Sequence, residues 1–208
     1  MCYRVEVKSD IKKIAKRYSA VVDNPADLLF NEDLNGFTYA KSPLILCSQP
    51  EVIATNYSWG LIPHWAADDS IRKNTLNAKL ETLDEKPAFR DVTANRCLMI
   101  VTGFFEWRWL DDKGKRKQKY RICSSEDELF SLGGLYSSWH DPATGQEHHT
   151  FTVVTTDANK EMQFIHNTKK RMPLILNPND ELEWLDPRRE PEEFGFPNYK
   201  PNIIAFAV

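Results

Sequence analysis

A cysteine at position 2, directly behind the initiator methionine, owes its chemistry to that position. Methionine ahead of a small residue is removed during synthesis, so Cys2 is expected to become the first residue of the mature chain. It then carries an amine and a thiol on adjacent carbons. An aldehyde condenses with such a pair in two steps: an imine forms at the amine, and the sulfur then closes a five-membered thiazolidine. The α-amine has a pKa of about 8 against about 10.4 for lysine, so its free base is on the order of a hundredfold more abundant at neutral pH. Ring closure is intramolecular, with effective molarities of roughly 10⁵ M or more. The same terminus also suits an N-terminal nucleophile hydrolase, in which the amine is the base for its own side chain. A plain residue on a fraying terminus is the third reading.

Two further titratable residues stand in apolar company. Gly103-Phe104-Phe105-Glu106-Trp107 sets a carboxylate among large aromatics. Burial there would raise its pKa and suit it to general acid–base work, whereas an edge strand would leave it in water. His166, in Phe164-Ile165-His166, precedes the basic stretch Asn167-Thr168-Lys169-Lys170-Arg171. That setting suits proton transfer near phosphates, although a lone histidine also serves as a satisfied structural group. His140, His148 and His149 read as loop composition rather than a metal site. Asn77-Ala78-Lys79-Leu80-Glu81-Thr82 reads as an asparagine-capped helix. Trp59 and Trp65 bracket a turn, one of them for the core and the other available to stack unpaired bases.

These residues need a scaffold, and the pattern supplies strands. Strand-like runs occur at 43–47, 51–59, 97–107, 119–123, 129–135, 150–156, 172–176 and 203–208. Asp112-Lys113-Gly114 and Asp141-Pro142-Ala143-Thr144-Gly145 mark turns, the first closing a hairpin. Ser9 or Asp10 caps a short helix through Tyr18, and helices are expected at 77–83, 158–165 and 179–185. Many short strands with few helices predict an α+β fold on a curved, mainly antiparallel sheet or barrel. No repeat or linker divides the 208 residues, which fit a single domain spanning 1–208.

Composition narrows the class. Hydrophobic residues make up 41% and charged residues 27%, which excludes wholesale disorder. No apolar run approaches eighteen residues, and the charged N-terminus offers no signal-peptide core, so no membrane span and a cytoplasmic protein are expected. Four widely spaced cysteines, Cys2, Cys47, Cys97 and Cys123, form neither a zinc pattern nor a disulfide framework. No metal and no cofactor are expected. The net charge of −3 hides an asymmetry. Residues 178–198 carry −5, leaving +2 for the rest, with basic clusters at 12–17, 113–121 and 169–171 that can track a phosphate backbone or simply face solvent.

The ordered set of these segments resembles the SRAP (SOS response-associated peptidase) family. The matching stretches are Met1-Cys2 with Arg4, Trp59-Gly60-Leu61-Ile62-Pro63 with Trp65, Asn77-Ala78-Lys79 with Glu81-Thr82, and Gly103-Phe104-Phe105-Glu106-Trp107. Gly134-Leu135-Tyr136 with Trp139, Phe151-Thr152 to Asn159, and Ile165-His166 with Arg171-Met172-Pro173-Leu174-Ile175-Leu176 complete it. The resemblance implies a sensor of abasic sites in single-stranded DNA that links its terminal cysteine to the ring-opened sugar as a thiazolidine. It further implies that Asn77 holds the amine and sugar, Glu106 is the acid/base, and His166 moves protons during ring opening. Arg4, Lys79 and Arg171 would contact flanking phosphates, Trp65 and Trp107 would exclude or stack bases, and some β-elimination would accompany the imine. A monomer needs no extra assumption. A peptide-hydrolysing reading and a purely electrostatic single-strand binder are the competing functions.

The sequence departs from the family pattern in four places. Tyr3 stands where the family has glycine, and Lys79 replaces arginine, keeping charge but losing bidentate geometry. Four residues separate His166 from Arg171 where the family has one. The Asn-x-Ala-Pro segment is missing, with Thr38-Tyr39-Ala40 and Pro43 in its place. Altered DNA contacts are expected from these changes.

Overall fold

Alternation of buried and polar residues builds two sheets, seen in a computed structural model that describes residues 2–27 and 31–208. The strands are β1 (Arg4–Val7), β2 (Val21–Val22), β3 (Asn31–Asn35), β4 (Leu44–Leu46), β5 (Gln49–Ala54), β6 (Ser58–Trp59), β7 (Asn77–Lys79) and β8 (Arg96–Val101). They continue as β9 (Gly103–Trp109), β10 (Lys117–Ser124), β11 (Phe130–His140), β12 (Glu147–Asp157), β13 (Arg171–Pro173), β14 (Ile175–Leu176) and β15 (Ile203–Ala207). Three α-helices accompany them: α1 (Ile11–Tyr18), α2 (Lys160–Ile165) and α3 (Glu181–Leu185). One sheet runs β15-β10-β9-β1-β3, and the other runs β13-β12-β11-β8-β4-β5-β2 with β6, β7 and β14 attached. Most pairings are antiparallel, so the expected α+β class on a curved antiparallel sheet is the fold observed.

Every residue of β8 is buried because that strand has a core on each side. Cys97, Met99 and Val101 face Phe104, Ile122, Phe151 and Cys2, the layer between the sheets. Leu98 and Ile100 face the opposite way, toward Ile14 of α1 and Trp184 and Leu185 of α3. The α1 stripe is short, fixed at one end by Asp10 accepting from the Lys13 N–H at 2.8 Å and at the other by Ser19 in the left-handed region.

The hairpin between β9 and β10 forms where the turn signal stands. Asp111 accepts from the backbone N–H groups of Lys113, Lys115 and Arg116, and Gly114 takes φ +61. Any other residue at 114 would also drive its Cβ into the Trp109 ring. Gly134 on β11 is needed for a different reason. A Cβ there would lie 2.6 Å from the Thr152 carbonyl and 3.0 Å from the Cys97 sulfur. Gly134→Ala should therefore cost about 1–3 kcal/mol, read as a lowered urea midpoint with unchanged slope.

The expected helix over 77–83 is not formed. Leu76, Ala78 and Leu80 are buried alternately, and this period of two places Asn77–Lys79 as a strand parallel to β12, followed by a single 3₁₀ turn at Leu80–Thr82. The run 97–107 is two strands, because the chain leaves one sheet at Thr102 and enters the other. Thr102 marks the crossing: its N–H donates to the Glu6 carbonyl at 2.7 Å. The 51–59 run likewise divides into β5 and β6, and 172–176 into β13 and β14. Strands β1, β2 and β3 have no counterpart among the expected runs. Among the described residues no helix is long and apolar enough to cross a membrane.

Candidate active site

The first strand carries the terminus into the interior. Val5 pairs with Phe104 and Glu6 with Gly103 on one side, while Arg4 and Val5 pair with Asn35 and Leu34 on the other. Cys2, two residues before this strand, is 0% exposed. The Asn77 Nδ2 donates to its carbonyl at 2.9 Å, which fixes the backbone of residue 2 against β7. Burial pushes the Cys2 thiol up, and the neighbouring Glu106 carboxylate adds to this.

Glu106 is buried on β9, an interior strand with β10 on one side and β1 on the other. Its side chain shares a face with Phe104, the face turned to the layer between the sheets. Burial raises the carboxyl to about 7, with the Trp107 backbone N–H acting in the opposite direction. It is half-protonated near neutral pH, the condition for donating and recovering a proton in one cycle.

His166 ends α2, a helix begun by Asn159 accepting from the Met162 N–H at 2.9 Å. Its Nδ1 lies 2.8 Å from the Arg171 carbonyl. A carbonyl only accepts, so Nδ1 carries the proton and Nε2 is the basic nitrogen of the neutral ring. Burial first, then the charge of the chain's terminal ammonium and, least, that of Lys169, lowers the imidazole to about 4, against the Arg171 carbonyl. The site therefore pairs a carboxyl raised toward neutrality with an imidazole kept neutral.

Glu106 and His166 line one cavity of 270 Å3 together with Tyr3, Trp107, Trp109, Lys117, Thr168 and Lys169. Tyr3, added beside the nucleophile, is a wall of this cavity, its ring 4.8 Å from Phe37. A second cavity, 540 Å3, is lined by Asn77, Lys79, Lys86 and Phe89 among others. Cys2 is tied to a wall of this second cavity by its bond to Asn77 and feels the charge of Glu106, a wall of the first.

The other expected contact residues are distributed unevenly. Trp107 lines the smaller cavity and Lys79 the larger. Trp65 is 49% exposed, its indole N–H bonded to the Pro87 carbonyl at the rim of the larger cavity, while Trp59 is fully buried. Arg4 is 2.5 Å from Asp33. Arg171 is nearly buried, with both terminal nitrogens on Glu81 and Asp157 at 2.8–2.9 Å and a further bond to the Thr155 carbonyl. Among the described residues no cluster suits a metal, and the cysteines are free.

Trp109 and Thr168 were not marked as site residues by sequence, Tyr3 was named only as a departure from the family pattern, and Lys117 and Lys169 only as members of basic clusters. Only the hairpin register, which sets Lys117 opposite Trp109, could have pointed to that pair. Asn77→Ala would leave the Cys2 carbonyl without its donor, at a cost of about 1–3 kcal/mol for a buried acceptor. We expect any reaction at Cys2 to slow about tenfold while the thermal midpoint falls by only a few degrees, measured on the same preparation.

A family model described as SOS response associated peptidase (SRAP) matches residues 1–200. The chain is 41% identical over 137 residues to a Bacillus subtilis protein named Abasic site processing protein YoqW. That match covers 65% of this chain and 58% of the relative. It is 30% identical over 160 residues to Abasic site processing protein HMCES of Gallus gallus, covering 65% of this chain and 46% of the relative. The aligned chain thus spans about half the length of these curated relatives. A crystal structure of a Bacteroides thetaiotaomicron protein superposes with a TM-score of 0.89 at 34% identity, covering 100% of this chain and 92% of that one. A Bordetella bronchiseptica protein, at 20% identity and a TM-score of 0.79 over 100% of this chain and 99% of that one, shares the fold.

Proposed function

The chain belongs to the SOS response associated peptidase (SRAP) family, and from that premise we propose that it captures abasic sites in single-stranded DNA covalently through Cys2 once Met1 is removed. The observation that supports this reading is the placement of Cys2: it is fully buried with its carbonyl clamped by Asn77, and its thiol feels the charge of Glu106, a carboxyl raised to about 7.

Each side chain then has a task. Asn77 Oδ1 is a buried acceptor with no hydrogen-bond partner, and it accepts from the α-amine of the processed chain. His166 Nε2 takes the hydroxyl proton at C1′ of the closed sugar and returns it to the ring oxygen as the bond from C1′ to that oxygen breaks, exposing the aldehyde. The amine adds to C1′, and protonated Glu106 delivers its proton to the departing hydroxyl, so water leaves and the imine forms. The Cys2 sulfur bonds to C1′ of the protonated imine, whose nitrogen keeps its one N–H, and the thiol proton returns to Glu106. A five-membered thiazolidine results, with no atom unaccounted for. The same imine acidifies the C2′ proton, so slow β-elimination and strand scission accompany capture. A buried thiol is a poor nucleophile toward an unactivated peptide, but attack within one residue on a protonated imine is intramolecular.

The test is denaturing electrophoresis of the chain with a confirmed N-terminal cysteine and uracil-containing single-stranded DNA, with or without uracil glycosylase. A heat-stable shifted band is expected with treated DNA alone. No shifted band, or one equally strong on untreated DNA, would overturn the reading.

A further inference from the structure

The smaller cavity holds two cations that the chemistry at Cys2 does not use. Lys117 enters from β10, across the hairpin from Trp109, with its ammonium 5.1 Å from that ring centroid. Lys169 enters from the stretch between His166 and Arg171.

That segment is built, not loose. Asn167 brackets the Trp109 backbone, accepting from its N–H at 3.0 Å and donating to its carbonyl at 2.9 Å, as a neighbouring strand would. The Lys170 N–H donates to the His166 carbonyl, and the Ala158 N–H to the Lys170 carbonyl, each at 3.0 Å. Lys170 itself sits in the left-handed region, φ 50. The result is that Lys169 and Thr168 are held over the cavity mouth.

Among the described residues, neither Lys117 nor Lys169 forms an ion pair with a carboxylate. The arginines are placed the opposite way. Arg171 is ion-paired with Glu81 and Asp157, and Arg4 with Asp33. A strand reaching Cys2 thus finds matched arginines and unmatched lysines: Lys79 and Lys86 in the larger cavity, Lys117 and Lys169 in the smaller.

We propose that Lys117 and Lys169, with the Thr168 hydroxyl, form a phosphate subsite that seats the phosphodiester next to the lesion on the Glu106–His166 side of Cys2. The subsite deepens the abasic-site reading and rests on it for the identity of the strand. Two point charges on flexible stems suit a phosphate whose position shifts as the sugar opens, where a bidentate arginine would fix one geometry. The Trp107 and Trp109 walls reduce water around the seated anion and strengthen the attraction.

The test measures non-covalent binding of the processed chain to single-stranded DNA bearing one tetrahydrofuran residue, as a function of salt. Tetrahydrofuran has no aldehyde, so this readout stands whether or not covalent capture occurs. Lys117→Ala/Lys169→Ala is expected to bind about tenfold more weakly at 50 mM salt. Its log–log salt slope should be shallower by about 0.7, the loss of one neutralised phosphate on a single strand. Lys117→Arg/Lys169→Arg, with the same urea midpoint as the parent, should retain the parent slope. Replacing the lesion-adjacent phosphate by methylphosphonate should remove the difference between parent and double variant. An unchanged slope in the alanine variant would overturn the subsite. So would a loss that persists with the methylphosphonate, because that assigns the lysines to the backbone at large.

Discussion

Cys2→Ala should abolish the heat-stable crosslink while leaving a fraction of the protein trappable by borohydride. Alanine is small enough for Met1 still to be removed, so the variant keeps a terminal α-amine beside Asn77 and Glu106. Imine formation at that amine needs no sulfur, and borohydride reduces the imine to a stable secondary amine. Without the thiol the imine has no internal nucleophile, and hydrolysis returns aldehyde and amine. The thiazolidine contributes its effective molarity of roughly 10⁵ M to retention, so its loss should take the unreduced adduct below detection on a denaturing gel. The side chain removed is fully buried, so a control is needed for packing. Cys→Ala leaves a small cavity beside Val5 and Phe104 and should cost about 1–2 kcal/mol, well short of unfolding. A heat-stable, borohydride-independent adduct surviving in Cys2→Ala would sink the thiazolidine and move the linkage to another amine.

Cys2 was legible in sequence because its chemistry depends on one position in the chain and on no neighbour. Glu106 was only half legible. Alternation set it opposite Phe105 and Trp107, but whether that face was wet depended on what flanked β9. The answer lies about a hundred residues away: β1 closes the other side of β9, and β1 is too short and polar for its period to stand out. Asn77 was misread for a local reason. An asparagine followed by Glu81 looks like a helix start, and the cap signal outweighed the alternation of Leu76, Ala78 and Leu80 that fixes a strand. The error concerned the element, since the side chain still reaches Cys2. The two indoles separated as expected, Trp59 into the core and Trp65 to the surface. Lys117 and Lys169 were invisible individually. Their meeting depends on hairpin register and on the Asn167 bracket, two long-range facts that no window of sequence contains.

Glu106→Gln should slow crosslink formation about a hundredfold and change the shape of its pH dependence. General acid–base groups contribute typically 10²–10⁴-fold, and the low end applies because water can partly substitute as the acid. The sign follows from two titrations. The α-amine reacts as its free base and so favours pH above its pKa of about 8. Glu106 donates as the neutral acid and so favours pH below about 7. Their product passes through a maximum near pH 7.5 and falls on either side. Glutamine has no proton to lose, so the variant should lose the alkaline fall and rise to a plateau as the amine titrates. His166, already neutral above about pH 4, contributes no limb within this range. Stability should move in the matching direction. A carboxyl raised in the folded state stabilises it below the usual carboxylate pKa, and that contribution is lost as pH rises toward 7. The glutamine variant, having no charge to bury, should therefore lose less stability than the parent between pH 5 and 8. Single-turnover crosslinking across that range, with urea midpoints at each pH, tests both expectations. A Glu106→Gln profile that keeps the alkaline fall would assign that limb to another group and remove Glu106 as the acid.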